Sequence, residues 1–130
     1  HKHMIQEIEN QGGKIDRIYL CPQLKSDLDN YRKPSPKMAF FAKNDFPEID
    51  LSKSIMVGDM NSDIEFGKNA GMKTIFVGDN ELELIPDDRF KTLYDFAKVL
   101  WYGKSDSHSF YSIYIINIIG GASYFEKIQQ

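Results

Sequence analysis

A single cysteine, Cys21, stands among the 130 residues, which excludes an internal disulfide framework and suits a reducing, cytoplasmic setting. Positive charge is also in short supply. Sixteen basic residues face 19 acidic ones for a formal net charge of −3, and no long Lys/Arg run is present to neutralise a nucleic-acid backbone. Long apolar runs are scarce as well. The most membrane-like stretch, Phe110 to Ile119 (FYSIYIINII), has ten residues, too few to cross a bilayer as a helix. The opening residues HKHMIQEIEN lack the apolar centre a signal peptide needs. These absences leave one soluble domain with a sizeable core as the expectation, with neither nucleic acid nor membrane as partner.

What is present alternates in period. Met4, Ile5 and Ile8 at helical spacing, closed by Gly12-Gly13, predict a helix over 2–11. RIYLC at 17–21 reads as a strand, and the polar stretch QLKSDLDNYRK after Pro22 as a loop. Ser35 as N-cap with Pro36 in the first helical position starts a helix that runs to about Asp45. A strand at 54–58, a helix at 61–70 stopped by Gly71, and a strand KTIFVG at 73–78 follow. Strand, helix, strand, helix, strand argues for a parallel sheet with helices on its faces, whose ligands bind at the C-terminal strand ends. TLYDFAKVLW at 92–101 reads as a closing helix with Leu93, Phe96, Ala97 and Leu100 on one face. The character changes at GKSDSHS, so 1–103 is taken as the domain and 104–130 as a linker with an apolar, strand-like tail ended by Gly120-Gly121.

The chemistry gathers at two places. The run IMVGDMNSD ends a buried strand in Gly58 and two carboxylates, Asp59 and Asp63, four residues apart. Arg32-Lys33-Pro34 stands before the preceding helix. Cations beside carboxylates at strand tips suit a phosphate and a hard divalent ion, because Mg2+ takes one or two carboxylates together with phosphate oxygens and water. Asp59 could supply one ligand, Lys33 could neutralise phosphoryl charge, and the Arg32 guanidinium could grip a phosphate at two points. The plainer reading keeps Asp63 as a helix cap, Asp59 as a turn residue and Lys33 as a solvated charge.

Taken together, YRKPSPKM and IDLSKSIMVGDMNSDIEFGKNAGMKTIFVG resemble the C-terminal half of haloacid dehalogenase-type (HAD-like) phosphatases, in the branch of heptose-bisphosphate and histidinol-phosphate phosphatases. The resemblance spans roughly residues 3–100. It implies a Rossmann-like, three-layer α/β fold and Mg2+-dependent hydrolysis of a small phosphorylated metabolite, with D-glycero-D-manno-heptose 1,7-bisphosphate as the expected substrate and histidinol phosphate as the alternative. By the same resemblance Lys33 is catalytic and binds substrate, Asp59 is catalytic and ligates Mg2+, Asp63 is the second metal-site acid, and Arg32 binds substrate.

The chain also departs from the pattern. The family's nucleophile lies in an Asp-x-Asp motif ending its first strand, and a Ser or Thr ends its second; no apolar strand of this sequence ends in either, so the resemblance implies a sheet lacking the first two core strands and a chain inactive by itself. A non-catalytic piece that binds phosphorylated ligands or assembles with a partner chain is the rival reading. The structural zinc site of the branch, Cys-x-His then Cys-x-Cys, corresponds here to Cys21, Gln23, Asp29 and Tyr31, too few ligands for four-coordinate zinc. No zinc is expected. His1 and His3 do not share a helix face, His108 falls in the linker, and Trp101 reads as a packing anchor. The tail, 111–119, is expected to pair along a sheet edge left open or to associate between chains.

Overall fold

The computed structural model describes residues 3, 6, 10, 16–20, 33–102, 113–119 and 122–128. The elements in chain order are β1 (Arg17–Leu20), α1 (Lys37–Asp45), a 3-10 turn (Leu51–Lys53), β2 (Ile55–Gly58), α2 (Asn61–Ala70), β3 (Lys73–Val77), β4 (Asp88–Phe90), α3 (Leu93–Tyr102), β5 (Ile113–Ile119) and β6 (Ala122–Ile128). The described residues of the first predicted helix, 3, 6 and 10, are helical.

All six strands form one sheet in the order β1-β6-β5-β2-β3-β4. β2 runs parallel to β3, with Ile55 opposite Lys73 and Gly58 opposite Phe76, and β3 runs parallel to β4. The Rossmann-like α/β expectation holds through this unit, because each parallel neighbour is reached by a crossover. α2 makes the crossover from β2 to β3.

The two faces of the sheet carry separate apolar clusters, which follows from side chains alternating along a strand. Met56 packs with Met38, Ala39 and Ala42 of α1, Phe66 and Ala70 of α2, and Ile49 and Met72. Its neighbours Ile55 and Val57 turn to the opposite face with Ile75 and Phe96 of α3. Helices therefore cover both sides, and the fold has three layers. Phe66, Phe76 and Ile64 are fully buried, each contributing about 2–3 kcal/mol by removal of apolar area from water.

Local signals explain the boundaries. In α2 the buried positions 63, 64, 66, 67 and 70 fall on one stripe. Gly71 ends it in the left-handed region at φ 77°, its N–H reaching back to the carbonyls of Gly67 and Lys68, as a helix C-terminus requires. α1 starts one residue later than expected. Pro36 sits in the cap position, and the Ser35 hydroxyl accepts only a long 3.5 Å bond from Lys37 N–H. The apolar face expected for α3 is narrower: Phe96 is buried, but Leu93 is 45% exposed.

Two strands went unread in the sequence. β4 is three residues of mostly polar character, DRF, held beside β3 by the Asp87 carboxylate, which accepts from Thr74 N–H at 2.7 Å and the Thr74 hydroxyl at 3.1 Å. β6 has no apolar run to announce it and forms an antiparallel hairpin with β5. β5 also pairs in parallel with β2, Ile55 opposite Ile115, and β6 pairs with β1. The tail strands thus lie between β1 and β2 and pair along the edges of both. No helix among the described residues is long and apolar enough to cross a membrane.

Candidate functional site

All four residues of β2 are buried, so the strand delivers its C-terminus from the core to the surface over a single step. Asp59 and Met60 are exposed, and α2 begins at Asn61. Asp63, in the first turn of α2, folds back beneath this corner. Its Oδ2 accepts the N–H groups of Asp59 at 3.0 Å and Met60 at 3.1 Å. Those donors lie at a helix start, where backbone N–H groups lack intrahelical partners and the helix dipole favours negative charge.

The other oxygen, Oδ1, accepts from the Lys33 ammonium. The pair is well shielded, with the Asp63 side chain 0% exposed and that of Lys33 12% exposed. A buried carboxylate is tolerable only when its oxygens are engaged, and here both are. Lys33 precedes a cis peptide bond to Pro34, and the Asn69 amide donates to the Pro34 carbonyl at 3.2 Å. That bond ties the turn carrying Lys33 to α2, the helix that carries Asp63. Gly58 completes the corner: a Cβ there would overlap the Asp63 side chain, so only glycine lets the carboxylate pack against the strand end.

Above this corner opens a cleft of about 900 Å3, bordered by Lys33, Ser35, Asp59, Asn61, Asn80 and Glu81. The far wall is the loop after β3. It is fastened at two points, by Asn61 Oδ1 accepting from Glu83 N–H at 2.9 Å and by the Arg89 guanidinium donating to the Asn80 carbonyl. Arg89 itself lies 4.6 Å above the Phe76 ring, a cation–π contact that fixes its direction.

Of the residues singled out in the sequence, Lys33, Asp59 and Asp63 come together. Asp63 faces inward and Asp59 outward. Arg32, and with it Cys21, Gln23, Asp29, Tyr31, His1 and His108, lies outside the described residues; His3 is helical and exposed, and Trp101 falls in α3. Asn61, Asn80, Glu81 and Arg89 were missed. Asn61 sat within the quoted GDMNSD, but nothing local marks a side chain that will brace a loop twenty residues on.

Among the described residues no three His, Cys, Asp or Glu side chains gather as a metal cluster. For Mg2+ this is no obstacle, since the ion commonly keeps its waters and takes one or two protein carboxylates plus phosphate oxygens. The outward carboxylate of Asp59 at the cleft fits that use. Asp63 stands behind it with its oxygens already engaged by Lys33 and the two N–H groups.

Residues 30–88 match the HAD-hydrolase-like family model. The chain is 38% identical over 76 residues to the histidine biosynthesis bifunctional protein HisB of Blochmanniella floridana, covering 58% of this chain and 21% of that protein. It is 38% identical over 79 residues to the D-glycero-alpha-D-manno-heptose-1,7-bisphosphate 7-phosphatase of Campylobacter jejuni, covering 61% and 44%. It is 35% identical over 79 residues to the D-glycero-beta-D-manno-heptose-1,7-bisphosphate 7-phosphatase of Rhodopseudomonas palustris, covering 55% and 43%. The chain thus spans less than half the length of these relatives. No solved structure matches it. The matched segment contains Lys33, Asp59 and Asp63, and over residues 30–88 the chain is similar to HAD-like hydrolases, with heptose-1,7-bisphosphate 7-phosphatases and HisB among its relatives.

Proposed function

We propose that the cleft is the phosphoryl-binding half of a Mg2+-dependent phosphomonoesterase acting on a small phosphorylated metabolite in the cytoplasm. D-glycero-D-manno-heptose 1,7-bisphosphate is the substrate favoured by the names of the relatives, with histidinol phosphate second. The observation that carries this reading is the shielded Lys33–Asp63 pair lying beside the outward carboxylate of Asp59 at the C-terminal tip of β2. Ligands of parallel α/β sheets bind at such tips.

In this reading Asp63 is the positioning group. An ammonium has three donors; one is spent on Asp63 Oδ1, which leaves the others for phosphoryl oxygens in the cleft. Fixing Lys33 beforehand means its charge needs no reorganisation when negative charge builds on the transferring group. Asp63 also holds the backbone of Asp59 and Met60, and so sets where the Asp59 carboxylate stands. Asp59 is the residue we assign to Mg2+, which when bound draws charge from the phosphoryl oxygens. Arg32, adjacent to Lys33 in sequence, is assigned to substrate binding.

The test is direct binding of inorganic phosphate to the chain in the presence of Mg2+, followed by 31P NMR. Lys33→Ala should abolish it. Equal binding by the chain and by Lys33→Ala would remove the phosphoryl assignment.

A further inference from the structure

The wall opposite Lys33 is chemically unlike the Lys33 corner. Asn80 and Glu81 are exposed on the loop after β3 and border the same cleft as Lys33 and Asp59. The Glu81 carboxylate can only accept hydrogen bonds, and the Asn80 amide can both donate and accept. Hydroxyl groups placed against this wall would find acceptors. The wall is also held in place from both ends. Asn61, the first residue of α2, accepts from Glu83 N–H at 2.9 Å, and Arg89 holds the Asn80 carbonyl while lying over Phe76. The residue that braces the wall therefore sits two positions after Asp59, so one corner fixes the phosphoryl end of the cleft and the opposite wall together.

Building on the phosphoryl-binding reading, we infer that Asn61 is a positioning residue for specificity: through Glu83 N–H it holds the 79–83 loop where Asn80 and Glu81 receive the hydroxyl-bearing alcohol portion of a phosphomonoester. The ligand class is a polyhydroxy alkyl phosphate, as opposed to an aryl or simple alkyl phosphate. Asn61 itself does not grip the phosphate.

The experiment compares the binding of inorganic phosphate, phenyl phosphate and a hexose 1-phosphate to the full chain with Mg2+, for the parent, Asn61→Ala and Asn61→Asp. Amide hydrogen exchange at Glu83 is read in parallel. The parent should bind the hexose phosphate more tightly than phenyl phosphate. Asn61→Ala should weaken the hexose phosphate about fivefold, the equivalent of roughly one hydrogen bond, while inorganic phosphate stays within about twofold, the scale of an ordinary surface substitution. Asn61→Asp keeps the acceptor oxygen and should restore both the hexose preference and Glu83 protection. Loss of Glu83 protection with the hexose preference intact overturns the inference, as does an equal loss for all three ligands. Phosphate binding that fails to depend on Lys33 overturns the phosphoryl-binding reading, and this inference with it; Lys33-dependent phosphate binding with no hexose preference overturns this inference alone.

Discussion

Lys33 and Asp63, thirty residues apart in sequence, meet as an ion pair in which the carboxylate is wholly buried and the ammonium nearly so. The carboxylate serves two masters, a cation on Oδ1 and two backbone N–H groups on Oδ2. Removing one partner of a buried pair leaves the other charge uncompensated, which costs about 3 kcal/mol or more. Asp63→Asn should therefore destabilise the fold by about that amount. Lys33→Met should cost less, because Asp63 retains its two N–H donors. Urea unfolding of both variants decides the point, and similar small losses for the two would mean the pair is screened by water.

Gly58 and Gly71 separate two reasons for glycine. At Gly58 an added Cβ overlaps the Asp63 side chain, whereas at Gly71 it meets nothing within 4 Å but the backbone has φ 77°. Gly71→Ala should cost about 1 kcal/mol, the strain of a left-handed residue with a side chain. Gly58→Ala should cost about 2–3 kcal/mol as overpacking, and should also displace Asp63 from Lys33. Thermal unfolding ranks them, and a milder effect at Gly58 would contradict the close approach.

Alkaline stability should depend on Tyr19. Burial pushes its phenol upward, reinforced by the 2.6 Å hydrogen bond it donates to Asp45 and by the Asp45 charge, with Arg17 opposing. The neutral phenol is thus favoured in the folded state relative to the unfolded chain, where tyrosine titrates near 10. The contribution is fully present below about pH 10 and fades as pH climbs above it, because the unfolded state loses its proton first. Tyr19→Phe should flatten the loss of stability between about pH 10 and 12. Identical slopes in denaturant midpoint for the two proteins would exclude this linkage.

How much of this could be read from residues alone depends on the range of the interaction. Gly71 as a helix stop, the α2 stripe and the buried IMVG strand are local signals, and each lies within about a residue of its expected place. Asp59, Asp63 and Lys33 were legible because their types and spacing carry chemistry at strand tips. The wall of the cleft was not. Asn61, Asn80 and Arg89 acquire their roles from contacts across 9 and 22 residues, which no local period encodes. The same holds for β4, whose DRF has no strand pattern and exists because Asp87 grips Thr74. Asp63 was legible as a carboxylate at the site, but its inward direction follows from the room left by Gly58, a packing fact.

Mg2+ binding should rest on Asp59. Its carboxylate is the outward one at the cleft, and one carboxylate supplies few of the six oxygens the ion requires. Titration with Mg2+ alone, followed by backbone NMR shifts around 58–62, should give weak binding, of millimolar order. Asp59→Asn should abolish those shifts. If the variant bound Mg2+ as the parent does, the metal assignment to Asp59 would be wrong.

The chain by itself should show no enzymatic turnover of phosphomonoesters. Hydrolysis in the resembled family proceeds through attack on phosphorus by an aspartate from an Asp-x-Asp motif at a strand end, and no such motif ends an apolar strand in this sequence. Lys33 and Asp59 can orient a phosphoryl group and absorb its charge, but positioning accelerates a step only when the attacking group is there to be positioned. Phosphate release from heptose 1,7-bisphosphate, histidinol phosphate and p-nitrophenyl phosphate with Mg2+ should therefore stay at background for the chain. Addition of a separately expressed segment bearing Asp-x-Asp should raise it, and Lys33→Ala or Asp59→Asn should cancel that gain. Turnover by the unaided chain at an ordinary enzymatic rate, on the order of 1–1000 per second, lost in Lys33→Ala, would show that the chain carries a nucleophile of its own. The cleft would then be a complete active site, with the attacking group to be sought among the side chains facing Lys33.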